Sequence, residues 1–194
     1  MRSGSKNSTG SSSGRVQLDR GGFVQSKASA EEIVAALQLE PNQTCGFVRV
    51  TYVSGLAVEA NVLAPPFEAE RAVGSALYFL VTPQAPVKLH RIMNDQLYHY
   101  YQGEALELLL LHDDGRSERL VIGPDILGGE QVQFLIPGGT FHTARVRGGS
   151  GWFLGGSTEW PGVVPLDVEL GDVDELAASH PEVAEEIRKF SVAV

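Results

Sequence analysis

Short β-rich runs, each cut off by Gly, Pro or Asp-Gly, recur along most of this chain, and that rhythm leaves few folds open. FVRVTYV at residues 47–53 and SALYFLV at 75–81 read as strands, the second apolar enough to be buried on both sides. ALELLLLH at 105–112 is helical by propensity alone. The Asp113-Asp114-Gly115 turn and the β-rich run ending at Ile122 favour a hairpin instead. Residues 132–136, 140–146 and 152–154 supply further strands, joined by Gly-rich links. Many short strands with such turns mean an all-β sandwich or a closed barrel.

Helices are expected only at the two ends. Ser29 has the position of an N-cap, with Glu32 closing a capping box ahead of Ile33, Val34, Ala36 and Leu37, and the helix must stop before Pro41. The loop holding Pro65 and Pro66 should lack regular structure. Residues 173–178 and 181–190 read as helices, with Pro181 in a first turn and Glu182 and Glu185 where the helix dipole favours them. They are expected to cap the barrel.

Residues 1–28 are rich in Ser and Gly and too poor in apolar groups to repay the entropy of ordering. They are expected to be a disordered leader, with one domain over 29–194. A tag or plain tail is the simpler reading, and an organelle transit peptide stays open because the first eighteen residues hold Arg2, Lys6 and Arg15 and no acid. With no secretory core, a cytoplasmic location is expected. The chain has 194 residues and a net charge of −9, which disfavours nucleic acid as a partner. No apolar run approaches the roughly 20 residues of a membrane-spanning helix. The single Cys45 is expected to be a free, buried thiol.

Two segments concentrate chemistry: HRIMNDQLYHYYQG from His90, and PGGTFH ending at His142. If the chain turns over once between Ile92 and Gln96, then His90, Ile92, Gln96, Tyr98 and Tyr100 share one face, and His142 follows the Pro-Gly-Gly bend. Two imidazoles, an amide and two phenols would then line one pocket. Among the cations near the barrel, Arg49, Arg71, Arg91 and Arg145, alternation turns Arg91 and Arg145 outward and leaves Arg49 to meet a ligand anion. Tyr78 joins Gln96 and Arg49 in the expected ligand-binding set. His99 is expected to be structural or exposed, His112 and His180 at the surface, and Trp152 and Trp160 in the core.

With the strands placed, VIGPDILGGEQVQFLIPGGTFHTA from Val121, the His90 segment, CGFVRVTY from Cys45, SALYFLV and the late TEWPG from Thr158 resemble the cupin family DUF985, also called Cupin_5. That resemblance implies an all-β double-stranded β-helix, a jelly-roll barrel with its pocket at the wide end, usually a homodimer. The general cupin pattern is HxH followed by Glu and Gly, then PxGxxH with a late Asn. On this pattern His90 takes the first histidine, Ile92 the second, Gln96 the glutamate and Gly103 the glycine. Pro137, Gly139 and His142 fit the second motif, and Val146 stands where many cupins have Asn. Within DUF985 an acid is usual at Gln96 and Trp at Tyr98. A PHPEGGYF-like signature has become Pro41-Asn42-Gln43-Thr44-Cys45-Gly46-Phe47-Val48.

Three chemical readings are open on the sequence. His90 and His142, with the Gln96 carbonyl as a weak third ligand, would hold a divalent transition metal at about 2.1 Å, as in oxygenase- or lyase-like cupins. Alternatively a histidine takes a proton beside a carbonyl and Tyr98 or Tyr100 donates one, as in epimerase- or isomerase-like cupins acting on a sugar-like or carboxylated ligand. The third is a pocket that binds a small molecule without turnover. The acid–base reading wants a carboxylate beside the base, and Asp95, the only acid evident near His90, points away by alternation.

Overall fold

The computed structural model describes residues 28–191, so the expected leader lies outside the described residues except for Ala28. The helix α1 (Ala30–Leu37) starts with the capping box read from the sequence: Ser29 Oγ accepts from Glu32 N–H and the Glu32 carboxylate accepts from Ser29 N–H. It ends on Gln38 in the left-handed conformation.

Two antiparallel sheets follow. The first runs in the order β1 (Glu40–Pro41), β2 (Phe47–Val53), β5 (Ser75–Val81), β12 (Phe153–Trp160), β7 (Asp95–Gly103) and β10 (Gln133–Ile136). The second runs β13 (Val168–Leu170), β6 (Val87–Ile92), β11 (Phe141–Val146), β8 (Leu106–Leu111) and β9 (Ser117–Ile122). A small hairpin-like pair, β3 (Ala57–Val58) with β4 (Arg71–Ala72), stands apart. The Leu-rich segment forms the expected hairpin, with Leu111 opposite Ser117 across the Asp-Gly turn.

Period-2 alternation explains why this sequence needs two sheets and then helices. Leu106, Leu108 and Leu110 join Phe79, Val81, Tyr98, Ile122, Ile136, Ala144 and Phe153 in the core between the sheets. The other face of the same strands, Leu89, Leu109 and Leu111, is apolar too and needs a second cover. The C-terminal helices α2 (Val173–Ser179) and α3 (Ala184–Ser191) provide it through Ala177, Val183, Ile187 and Phe190. They therefore lie along the outer face of the second sheet instead of closing the barrel's end. On the other side α1 covers Leu80, Trp152 and Leu154 with Ile33, Val34 and Leu37.

Other sequence expectations give way to packing. His180 is buried, not superficial: its Nε2 lies 3.0 Å from the His112 carbonyl, which ties α2 to the β8–β9 turn. Trp160 is 48 % exposed while Trp152 is buried, so only one of the two indoles is core. The third strand expected near residues 152–154 runs on to Trp160. Arg71 is buried and paired with Asp167 at 2.9 Å, its Nη1 also donating to the carbonyls of Ala69 and Glu70. Asp167 in turn accepts from Val164 N–H, and its carbonyl accepts from Met93 N–H. The ion pair thereby anchors the turn between β6 and β7.

Removing one partner of a buried pair leaves an uncompensated charge, which costs about 3–5 kcal/mol. Asp167→Ala should lose that much stability in urea titration, and Arg71→Met combined with Asp167→Leu should recover most of it. A loss below about 1 kcal/mol for the single variant would show that the pair does not hold the turn.

Candidate functional site

The His90 segment does not stay in one sheet. β6 carries His90 and Ile92 in the second sheet, the chain turns at Met93 and Asn94, and β7 carries Gln96 and Tyr98 in the first. Both sets face the interior, where His90, Gln96, Tyr98 and His142 are all buried. The two imidazoles meet because β6 and β11 pair with His90 directly opposite His142, their ring centroids 4.3 Å apart. The next register pair is Val87 with Ala144, so β6 uses an extra residue there. This bulge lets Val87 and His90 both point inward, which strict alternation would forbid.

The tautomers follow from the hydrogen bonds. His90 Nδ1 lies 2.7 Å from the Lys88 carbonyl, an acceptor only, so Nδ1 carries the proton and Nε2 the lone pair. His142 Nδ1 faces the Thr140 carbonyl at 3.3 Å, and its Nε2 lies 3.1 Å from the Tyr98 hydroxyl, which donates to it. Burial pushes His90 down to about 4, only partly opposed by the Lys88 carbonyl. Burial, then the neighbouring His90, holds His142 well below the ordinary imidazole value. Burial raises Tyr98 well above its ordinary value, with Cys45 and Glu159 adding to the effect. Cys45 is the buried free thiol expected, pushed up to about 12 chiefly by burial.

The residue that sequence reading missed is Glu159. It is buried on β12, directly opposite Gln96 on β7, with its carboxylate 2.7 Å from the Ser75 hydroxyl. Burial raises its pKa, while Ser157 and Ser75 pull the other way. The signal lay inside TEWPG, but Gly155-Gly156 reads as a link and hides the strand. These glycines are strand residues: a side chain on Gly156 would collide with the Tyr101 ring, and one on Gly155 with the Phe153 ring.

The remaining candidates are elsewhere. The Tyr100 hydroxyl donates to the Gly103 carbonyl at 2.8 Å, toward the other end of β7, where Glu104 and Glu130 add to the effect of burial in raising its pKa. Arg49 is exposed and donates to the Leu37 carbonyl, so it does not point inward. Tyr78 packs with α1 on the outer face of the first sheet, edge-on to Tyr101. Asp95 points away as expected and accepts from Gly138 N–H. His99 bridges Thr158 and Gln133 outside the core. A cleft of about 710 Å³ also lies outside, between α1 and Trp152, and contains none of the interior polar residues.

The fold and this interior define a double-stranded β-helix protein whose polar groups converge between the sheets. The chain belongs to the family described as Cupin superfamily (DUF985), whose model matches residues 31–171. It is similar to a hypothetical protein from Leishmania major, with a TM-score of 0.74 and 26% identity over 84% of this chain and 99% of that one. Protein SO0799 from Shewanella oneidensis is similar to the same degree, TM-score 0.74 and 26% identity over 86% and 99%. The uncharacterized protein YML079W of Saccharomyces cerevisiae is 32% identical over 75 residues. That match spans 38% of this chain and 37% of the yeast protein. No helix among the described residues is long and apolar enough to cross a membrane.

Cupins commonly hold a divalent metal, and the donors here fit one poorly. Among the described residues no three His, Cys, Asp or Glu side chains form a metal-holding group. Glu159 does not complete a triad with the two histidines, and His142 Nε2 already faces a phenol. Gln96 would add only a neutral oxygen to offset the cation.

A depressed imidazole pKa stabilises the fold above the unfolded value near 6.5, and that contribution is lost as pH falls through the folded value. From the shift of His90 alone, acidification from pH 7 to below about 4 should remove about 3 kcal/mol. Glu159 acts with the opposite sign, its raised pKa costing stability as pH rises from its unfolded value of 4.5. Urea titrations across this range should show a steep acid limb that is shallower in His90→Gln. Equal limbs in the two proteins would contradict the buried neutral imidazole.

Proposed function

We propose that this protein binds a small polar molecule between its sheets and moves a proton on it beside a carbonyl, the chemistry of an isomerase or epimerase. The observation that carries this reading is the opposed tuning of groups on facing sheets. His90 and His142 are kept unprotonated, and Glu159 is made to hold its proton longer. A base and an acid held in complementary states at one pH are what proton transfer to and from carbon needs.

In this reading His90 Nε2 takes a proton from the carbon next to the carbonyl, and the electron pair moves onto the carbonyl oxygen. The Glu159 carboxyl donates its proton to that oxygen, giving a neutral enol or enediol. Return of the proton from the imidazolium to the neighbouring carbon of the enediol, with loss of the other hydroxyl's proton to Glu159, restores both groups and yields the aldose–ketose isomer. His142 and Tyr98 position one another and the His90 ring, because Tyr98 donates to His142 and the two imidazoles are in close, tilted contact. Gln96, opposite Glu159, orients the ligand with its amide.

The test is incubation with a panel of aldoses, ketoses and their acids in deuterated water, followed by mass spectrometry. The protein should introduce one deuterium at the carbon beside the carbonyl of at least one compound. His90→Gln and Glu159→Gln should each slow exchange about a hundredfold or more. Failure of every carbonyl compound to exchange, or full activity in both variants, would contradict the proposal.

A further inference from the structure

The charges around the interior point to the class of molecule it takes. Every described cation is committed elsewhere: Arg71 to Asp167, Arg91 to Glu169, Arg145 to Glu107, Arg147 to Glu130, and Arg49 to a backbone carbonyl on the outside. Arg116, Arg119, Arg188 and Lys189 pair with surface carboxylates, and Lys88 is exposed. Arg71 comes nearest, at the turn between β6 and β7, but its guanidinium is held by a carboxylate and two carbonyls.

The inner wall offers a mixed set of hydrogen-bonding groups. His90 Nε2 is an acceptor because Nδ1 carries the proton, Gln96 both donates and accepts, and Glu159 accepts on at least one oxygen. Ser157 Oγ, on the strand next to Tyr98, is buried and meets no partner in hydrogen-bonding geometry, although it is near enough to ease the Glu159 carboxyl downward. A buried hydroxyl without a partner is destabilising, and that cost is removed when a ligand group satisfies it. Hydroxyl groups suit such a wall, since each can donate to His90 or Glu159 and accept from Gln96 or Ser157. Phosphate and carboxylate groups are acceptors only. They would meet the His90 lone pair and carboxyl oxygens with no cation to offset the loss of water.

We propose that the interior selects an uncharged, hydroxyl-bearing molecule of the free sugar or polyol class and rejects its phosphorylated and carboxylated counterparts, a reading that rests on the interior site proposed above. This narrows the ligand: of the sugar-like and carboxylated classes the sequence left open, only the first matches the charges.

The experiment is ligand-observed NMR and calorimetry with matched sets: a free hexose, its 6-phosphate and its aldonic acid, repeated for ketoses and pentoses. The neutral member of a set should bind about tenfold or more tighter than either anion at pH 7.5, a margin of about 1.4 kcal/mol. Glu159→Gln should narrow that margin, because an amide N–H can donate to an anion where a carboxyl oxygen cannot. Equal or tighter binding of an anion overturns the proposal, and so does the absence of binding by every neutral member. Binding of a neutral sugar without deuterium exchange contradicts the isomerase reading alone. Exchange on a phosphorylated sugar that binds more tightly contradicts this inference alone.

Discussion

The pairing of His90 with His142 across β6 and β11 is the contact on which the interior of this protein depends. Two imidazoles in contact, tilted by 52° and stripped of water, resist being charged together, and burial holds both below the ordinary imidazole value. The bulge that places Val87 and His90 on the same face is therefore as much a part of the site as the rings themselves. It keeps an apolar residue in the core below while aiming a polar one at its partner.

The two histidines, Tyr98 and Glu159 are each made tolerable by a local bond. Both histidines satisfy Nδ1 with the carbonyl two residues back, and Tyr98 spans from the first sheet to the Nε2 of His142. Buried polar networks specify one arrangement when their members are satisfied. In the proposed reaction the acting groups are the His90 lone pair on one sheet and the Glu159 carboxyl on the other. The surrounding apolar cluster of Leu108, Leu110, Ile136 and Phe153 supplies the low dielectric that shifts both.

Much of this was legible in the sequence because period-2 alternation is a strong signal where one face is buried. His90, Gln96, Tyr98 and His142 were placed inward from spacing and from resemblance to one family, and the structure places them there. Alternation fails wherever a strand carries an extra residue. β2 has such an irregularity between Val50 and Tyr52, and Arg49 before it pairs with Tyr78 on the outer face. Neither was recognisable as outward-facing without knowing that α1 packs there. Tyr100 is on the expected face, yet its hydroxyl is taken by Gly103 at the wrong end of the strand. Glu159 was hidden for another reason: glycine normally marks turns, and only the bulk of Tyr101 and Phe153 explains two glycines inside β12. His180 shows the same limit, since its burial comes from packing between segments far apart in sequence.

The central claim, that two neutral imidazoles of fixed tautomer face each other inside the barrel, is tested most directly by long-range proton–nitrogen NMR of the histidine rings. Both rings should show a protonated Nδ1 and a bare Nε2 at pH 7, with His90 titrating near 4 and His142 well below the ordinary imidazole value. An Nε2-protonated tautomer at His90, or a titration of either ring near 6.5, would contradict it.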